Sequence, residues 1–157
     1  MSKSTWVLDW QDWQTEIPAA TRNLHETDKM KLGKLLYEAY KGTVDYDGET
    51  AADSVEEAGN ILYGDYGDIL FDYSFVCEYE NEFFSSVILT ENDGFDGPLV
   101  IFAMTTAAHK RKGLAHKLLR HALASLFNAE KTSIYACITD GNTSSEKLFK
   151  KLGFQRI

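Results

Sequence analysis

The stretch from His109 to Leu119 constrains this chain most, because Lys110-Arg111-Lys112-Gly113-Leu114-Ala115 joins an apolar, strand-like run, Leu99 to Met104, to a strongly periodic helix. A helix starting near Gly113 exposes backbone N–H groups that lack intrahelical partners, and its dipole adds roughly half a positive charge at the same end. Gly113 lets the backbone approach a ligand closely, Ala115 keeps the next turn uncluttered, and three basic side chains surround the spot. Such a strand, loop and helix form an anion cradle, and a pyrophosphate is the expected ligand.

A second strand, loop and helix follows at Ala136, reading Ala-Cys-Ile-Thr-Asp-Gly-Asn-Thr-Ser-Ser-Glu-Lys-Leu-Phe-Lys-Lys-Leu-Gly-Phe. Together the two segments resemble the GNAT superfamily of acetyl-coenzyme A-dependent N-acyltransferases. The first is similar to its [Gln/Arg]-x-x-Gly-x-[Gly/Ala] pyrophosphate loop, and the second to its Asn-x-x-[Ala/Ser]-x-x-Leu-Tyr-x-x-x-Gly-Phe segment. Lys110 stands where that pattern has Gln or Arg, a mild departure since backbone amides make most phosphate contacts. Phe149 stands where it has Tyr, which removes a hydroxyl.

At 157 residues and 44% hydrophobic content the chain fits one globular domain with an ordinary core. The expected division is a Trp-rich extension over residues 1–18 and a single acyltransferase domain over 19–157. No stretch approaches the ~20 apolar residues of a membrane span, and the amino terminus lacks the apolar segment of a signal peptide. A cytoplasmic location without membrane contact is expected. Cys77 and Cys137 lack paired spacing and are expected to be buried thiols, and the four histidines form no ligand pattern, so no metal is expected.

The net charge of −8 hides an asymmetry. Residues 1–100 hold 6 basic and 21 acidic side chains, and residues 101–157 hold 10 and 3. A basic half suits a polyphosphate cofactor, and an acidic half suits a cationic acceptor such as an amine. Nucleic-acid binding is not expected, because the basic patch is short, lacks interleaved aromatics and belongs to an acidic protein.

Apolar periodicity predicts helices over 30–40 and 51–63, a hairpin of strands 74–79 and 83–90, and a buried strand from Leu99 to about Thr105. A helix follows Gly113, with Leu114, Leu118, Leu119, Ala122, Leu123 and Leu126 facing the core. A strand over 133–138 leads to a last helix, started by a capping box of Thr143 and Glu146 and ended at Gly153. With a short strand at Arg22-Asn23-Leu24 and another beginning at Phe154, the order is β-α-α-β-β-β-α-β-α-β. The fold class is α/β (α+β), a mixed sheet flanked by helices. This order agrees with the GNAT fold.

Trp6, Trp10 and Trp13 fit helical spacing, while Trp6-Val7-Leu8 equally fits the start of a strand. The resemblance implies further strand beyond Ile157, so the strand at 133–138 is expected to need a cover. Met1 to Pro18 is the expected cover, and a homodimer partner the alternative.

The resemblance implies direct attack of an amine, borne by a small molecule or peptide, on acetyl-CoA within a ternary complex. It assigns cofactor binding to Lys110, Arg111, Lys112, Gly113, Leu114, Ala115 and His116, to Asn142, and to Phe149 along the cofactor. Backbone N–H groups of Ala103, Met104 and Thr105 are the implied donors to the carbonyl oxygen. With no phenol at Phe149, Tyr135, Tyr40 or a water is left to protonate the thiolate. Asp45 and Glu49, between the first two helices, are the candidates for binding or deprotonating an ammonium group. The alternative is a coenzyme A-binding sensor or interaction domain that lost turnover when the Tyr became Phe.

Overall fold

The computed structural model describes residues 2–13, 17–110, 112–130 and 132–157. In chain order the elements are β1 (Lys3–Leu8), β2 (Thr21–Asn23), α1 (Lys29–Tyr40), α2 (Ala51–Tyr63), β3 (Asp68–Ile69), β4 (Phe75–Tyr79) and β5 (Glu82–Glu91). They continue with β6 (Leu99–Thr105), α3 (Leu114–Ala129), β7 (Ile134–Thr139), α4 (Thr143–Leu152) and β8 (Gln155–Arg156). The order expected from periodicity is present from β2 to β8, with β1 and the two-residue β3 added to it.

Among the described residues the strands form one mixed sheet in the order β2-β4-β5-β6-β7-β1-β8, with β3 beside β5. Every pairing is antiparallel except β6 with β7, as the intervening helix α3 requires. Alternation along the strands sends side chains to two cores. Val87 and Leu89 of β5 join Leu118, Leu119 and Leu123 of α3, whereas Ile88 joins Leu32, Leu35 and Leu36 of α1 and Ile61 of α2. Helices α1 and α2 thus cover one face, and α3 and α4 the other.

The β4–β5 turn places Glu80 and Asn81 at φ 51° and 64°, the two consecutive positive values of a tight hairpin. Gly33 of α1 lies so close to α2 that a Cβ there would sit 2.5 Å from the Val55 Cα. At the edge near β2, Arg22 donates to both carboxylate oxygens of Asp28 at 2.9 and 3.0 Å, and it reaches Glu78 at 3.2 Å. Asp28 also accepts the His25 amide at 2.8 Å. It therefore ties the entry of α1 to β2 and β4.

The amino-terminal segment is strand rather than helix where Trp6 lies. β1 runs antiparallel to β7 through six pairs, from Lys3 opposite Thr139 to Leu8 opposite Ile134. Trp6 and Leu8 are buried with α3 and α4, and the Trp10 indole donates to the Phe127 carbonyl at 2.8 Å. A boundary at residue 18 would therefore cut off a strand that is hydrogen-bonded into the sheet.

Two local expectations are corrected. Helix α4 is capped by Asn142, whose side chain accepts from the Ser145 amide at 3.2 Å, while Thr143 already lies within the helix. Cys137 is exposed, not buried, because Ala136 and Ile138 take the inward positions of β7 and Cys137 points to the face where the neighbouring strand departs. Among the described residues no helix is long and apolar enough to cross a membrane.

Candidate functional site

Strands β6 and β7 pair only at Leu99 with Tyr135 and Val100 with Ala136. Immediately beyond, the β5–β6 register passes from Leu89 opposite Val100 to Ile88 opposite Phe102, which leaves Ile101 as an extra residue on β6. A bulge bends its strand and sharpens the local twist. The two parallel strands diverge from that point, and a cleft of about 910 Å³ opens between them and the α1–α2 layer.

The cleft has a sheet floor, from Leu99 to Ala103 and from Cys137 to Thr139. Tyr37 and Tyr40 of α1 form one wall; the loop from Val44 to Asp47, with Glu49 and α2, forms another; Asn142, Ser145 and Phe149 of α4 close the third. Because β6 and β7 are parallel, their carboxyl ends, and hence the amino termini of α3 and α4, lie at the same end of the sheet. Ligands bind there in open α/β sheets.

Asp45 and Glu49 both line the cleft. One Asp45 oxygen accepts from the Thr139 hydroxyl at 2.7 Å and the other from the Asn142 amide at 2.9 Å. Asn142 is thus engaged twice, as the cap of α4 and as the anchor of the α1–α2 loop. Glu49 is held within its own loop, accepting the Asp47 amide at 2.9 Å.

Of the candidate backbone donors, Ala103 lines the cleft. Met104 is buried against α1, and Thr105 is buried beside the Ser85 hydroxyl at 3.0 Å. Phe149 lines the cleft while packing edge-on against Phe154, with ring centres 5.0 Å apart. Tyr135 is elsewhere: it sits at the fully paired start of β7, its ring 5.4 Å from that of Phe95. Tyr40 lines the cleft instead, and burial together with the nearby Asp45 carboxylate pushes its phenol well above the usual tyrosine range.

At the start of α3, Gly113 has φ 71° and ψ 14°, a left-handed conformation that favours glycine, with open space beside its Cα. Among the described residues no side chain caps α3 here. Lys112 is exposed and Leu114, Ala115 and His116 are half-buried in the first turn. Burial, with Lys151 and Arg120 adding to it, holds His116 below the usual histidine value. The Lys110 ammonium donates at 3.1 Å to the Ala39 carbonyl in the last turn of α1, where the helix dipole favours a cation. It links the loop to α1. Arg111 lies outside the described residues.

Sequence reasoning passed over the face of α2 formed by Asp53, Glu56, Glu57 and Asn60, all of which line the cleft. Their i, i+3, i+4, i+7 spacing was a visible signal, since it marks one side of a helix. It reads as an ordinary solvated face until the cleft is known. Tyr66 also lines the cleft, donating to Glu57 at 2.6 Å; burial, then Glu57, pushes its phenol up to about 12.

The sequence model described as Acetyltransferase (GNAT) family matches residues 30–154. No curated protein matches the chain in sequence. Among solved structures, the chain is similar to a GCN5-related N-acetyltransferase from Sphaerobacter thermophilus, with TM-score 0.70 and 10% identity over 99% of this chain and 48% of that one. It is also similar to the PaiA N-acetyltransferase from Thermoplasma acidophilum in complex with coenzyme A, with TM-score 0.69 and 16% identity over 86% and 88% of the two chains. Diaminobutyrate acetyltransferase EctA from Paenibacillus lautus, in complex with L-2,4-diaminobutyric acid and coenzyme A, gives TM-score 0.60 and 17% identity over 84% and 72%. The chain spans about half the length of the first of these. At such identities the likeness is one of fold.

Proposed function

The chain belongs to the acetyltransferase (GNAT) family, and from that premise we propose that it acetylates a primary amine of a small molecule or peptide, with acetyl-CoA as donor and by direct attack in a ternary complex. The observation that carries this is the divergence of β6 from β7 at the Ile101 bulge, which exposes strand backbone beside a carboxylate-lined cleft. Structural neighbours solved with coenzyme A, one of them also with an amine-bearing ligand, support the donor and the acceptor class.

The first turn of α3 fits a pyrophosphate: its amides point out of the helix end, Gly113 leaves room for close approach, and among the described residues no side chain caps that end. Acetyl-CoA, when bound, supplies the activated acyl carbon. Backbone N–H groups at the diverging end of β6, beginning at Ala103, donate to the carbonyl oxygen as it becomes negative. Asp45 and Glu49 attract the acceptor's ammonium group, and a carboxylate or a water takes its proton before the nitrogen attacks. Asp45 also fixes the loop, since both its oxygens are bonded to Thr139 and Asn142. Once the carbon–sulfur bond breaks, the thiolate needs a proton or a hydrogen bond. Tyr40, which lines the cleft together with Tyr37, Tyr46 and Tyr66, is the phenol we assign to that task; it is protonated at neutral pH and its Oη can donate a hydrogen bond to the thiolate.

The experiment is thiol release from acetyl-CoA across a panel of amines, alongside calorimetric binding of acetyl-CoA to the same protein. Amine-dependent release is expected. Phe149, without a hydroxyl, favours a second reading in which the domain senses coenzyme A; binding with no release under any amine would select it, and absence of binding would remove both.

A further inference from the structure

Residues 42–49, between α1 and α2, form one wall of the cleft with little else to hold them in place. Gly42 and Gly48, at φ 83° and 82°, stand in left-handed conformations with open space around them. Most hydrogen bonds of the loop close on itself or on the end of α1. The Thr43 amide and hydroxyl donate to the Tyr40 carbonyl at 3.0 and 2.8 Å, and the Tyr46 hydroxyl donates to the Glu49 carbonyl at 3.0 Å. Among the described residues, the hydrogen bonds that leave this loop for the sheet and α4 are both made by Asp45.

Those two bonds end on the β7–α4 segment. Thr139 is the last residue of β7, beyond the point where β6 departs, and Asn142 opens α4. Thr139 is buried, and its hydroxyl finds its acceptor in the Asp45 carboxylate at 2.7 Å. The Asn142 side chain is committed at both ends: its oxygen accepts the Ser145 amide at 3.2 Å, and its nitrogen donates to Asp45 at 2.9 Å. A flipped amide would set nitrogen against the Ser145 N–H and oxygen against a carboxylate, so the two partners allow one orientation. Hydrogen bonds to an ionised group are roughly twice as strong as neutral ones. Asp45 is therefore the firm attachment of an otherwise self-contained loop.

Resting on the transfer reading above, we propose that Asp45 and Asn142 are positioning residues for the acceptor: the Asn142 amide acts through Asp45 to hold the 44–49 wall over the parted end of β6 and β7. This separates Asn142 from the cofactor contact that the resemblance implies. Loosening the bond displaces the groups that face the amine, Glu49 among them, and leaves the first turn of α3 in place.

The test measures kcat and acceptor KM with n-butylamine, L-2,4-diaminobutyric acid and glycyl-L-lysine, and the acetyl-CoA Kd by calorimetry. N142S keeps a capping side chain on α4 and loses the reach to Asp45. N142D also keeps the cap but sets two carboxylates against each other, and D45N/N142D restores one amide facing one carboxylate with their places exchanged. N142S and N142D should each raise acceptor KM about tenfold or more, the worth of roughly one charged hydrogen bond. The acetyl-CoA Kd of N142S should stay within about threefold of wild type, and D45N/N142D should recover most of the acceptor KM lost in N142D. An acetyl-CoA Kd raised in N142S as much as the acceptor KM would overturn the proposal and return Asn142 to the cofactor. So would a double variant as impaired as N142D. If no acceptor releases thiol, the transfer reading fails, and amide hydrogen exchange over residues 43–49 decides the attachment by itself. Faster exchange in N142D, slowed again in D45N/N142D, supports it, and equal exchange in both variants and wild type overturns it.

Discussion

Gly33→Ala and Gly59→Ala make the same chemical change on the two packed helices of the acceptor wall, and the structure gives them opposite signs. A Cβ at Gly33 would lie 2.5 Å from the Val55 Cα and 2.7 Å from its Cγ2. Carbon atoms settle at about 3.5–4.0 Å, so α1 and α2 must part by roughly 1 Å, and the first obstacle is backbone that cannot rotate away. Overpacking of this kind costs about 1–3 kcal/mol, set against a gain of up to ~1 kcal/mol from replacing glycine within a helix. A net loss of about 1–2 kcal/mol should lower Tm by roughly 2–8 °C at this chain length. At Gly59 the nearest atom is the Lys29 Cε at 2.9 Å, part of a flexible side chain that can swing into solvent. Gly59→Ala should leave stability unchanged or raise it by up to ~1 kcal/mol. Urea unfolding of both variants beside wild type measures the two values. Because parting the helices shifts the α2 carboxylates and leaves α3 in place, Gly33→Ala should raise KM for the acceptor more than for acetyl-CoA. A Gly33→Ala protein as stable as wild type would refute the close-approach argument.

Three further outcomes follow from the site and its surroundings. Gly113→Glu should abolish acetyl-CoA binding by calorimetry while the protein stays folded, since it sets bulk and negative charge at the α3 amino terminus and adds about 1–3 kcal/mol of left-handed strain; unchanged affinity would remove the cradle. Phe149→Tyr should raise turnover or hold it within a few-fold, whereas a fall of about 10²-fold would show that the ring's apolar contact with the cleft matters more than the missing hydroxyl. Burial raises the Asp28 carboxyl and the Arg22 and His25 donors outweigh it, while Lys31 and then Arg22 lower Glu78, so both end below the usual range. Stability from these groups is complete above their unfolded values near ~4 and is lost as pH falls through the lowered folded values. Chemical unfolding from pH 7 to 2 should therefore show wild type and Asp28→Asn converging as pH falls, and a constant difference would contradict the assignment.

What the sequence determined by itself was what is encoded within a few residues. The apolar stripes of α1 and α3, the hairpin, the helix start at Gly113 and the capping glycine after α4 each depend on the repeat of one element or the character of one residue, and all are present. The two glycine-bearing motifs located the basic end of the domain for the same reason. Tertiary structure decided what depends on partners far along the chain. Trp6-Val7-Leu8 fits helix or strand locally, and only the exposed hydrogen-bonding edge of β7 selects strand. The extra residue at Ile101 shows only in the register against β5, since the run from Leu99 to Met104 looks uniformly apolar. Asp45 meets Thr139 and Asn142 across more than ninety residues, and Lys110 turns from the expected phosphate to the Ala39 carbonyl. Even the acidic face of α2 was legible as a face, but its meaning was not: a charged stripe looks the same whether it meets water or a cleft, and only the packing of α1, α2 and the parted strands settles which.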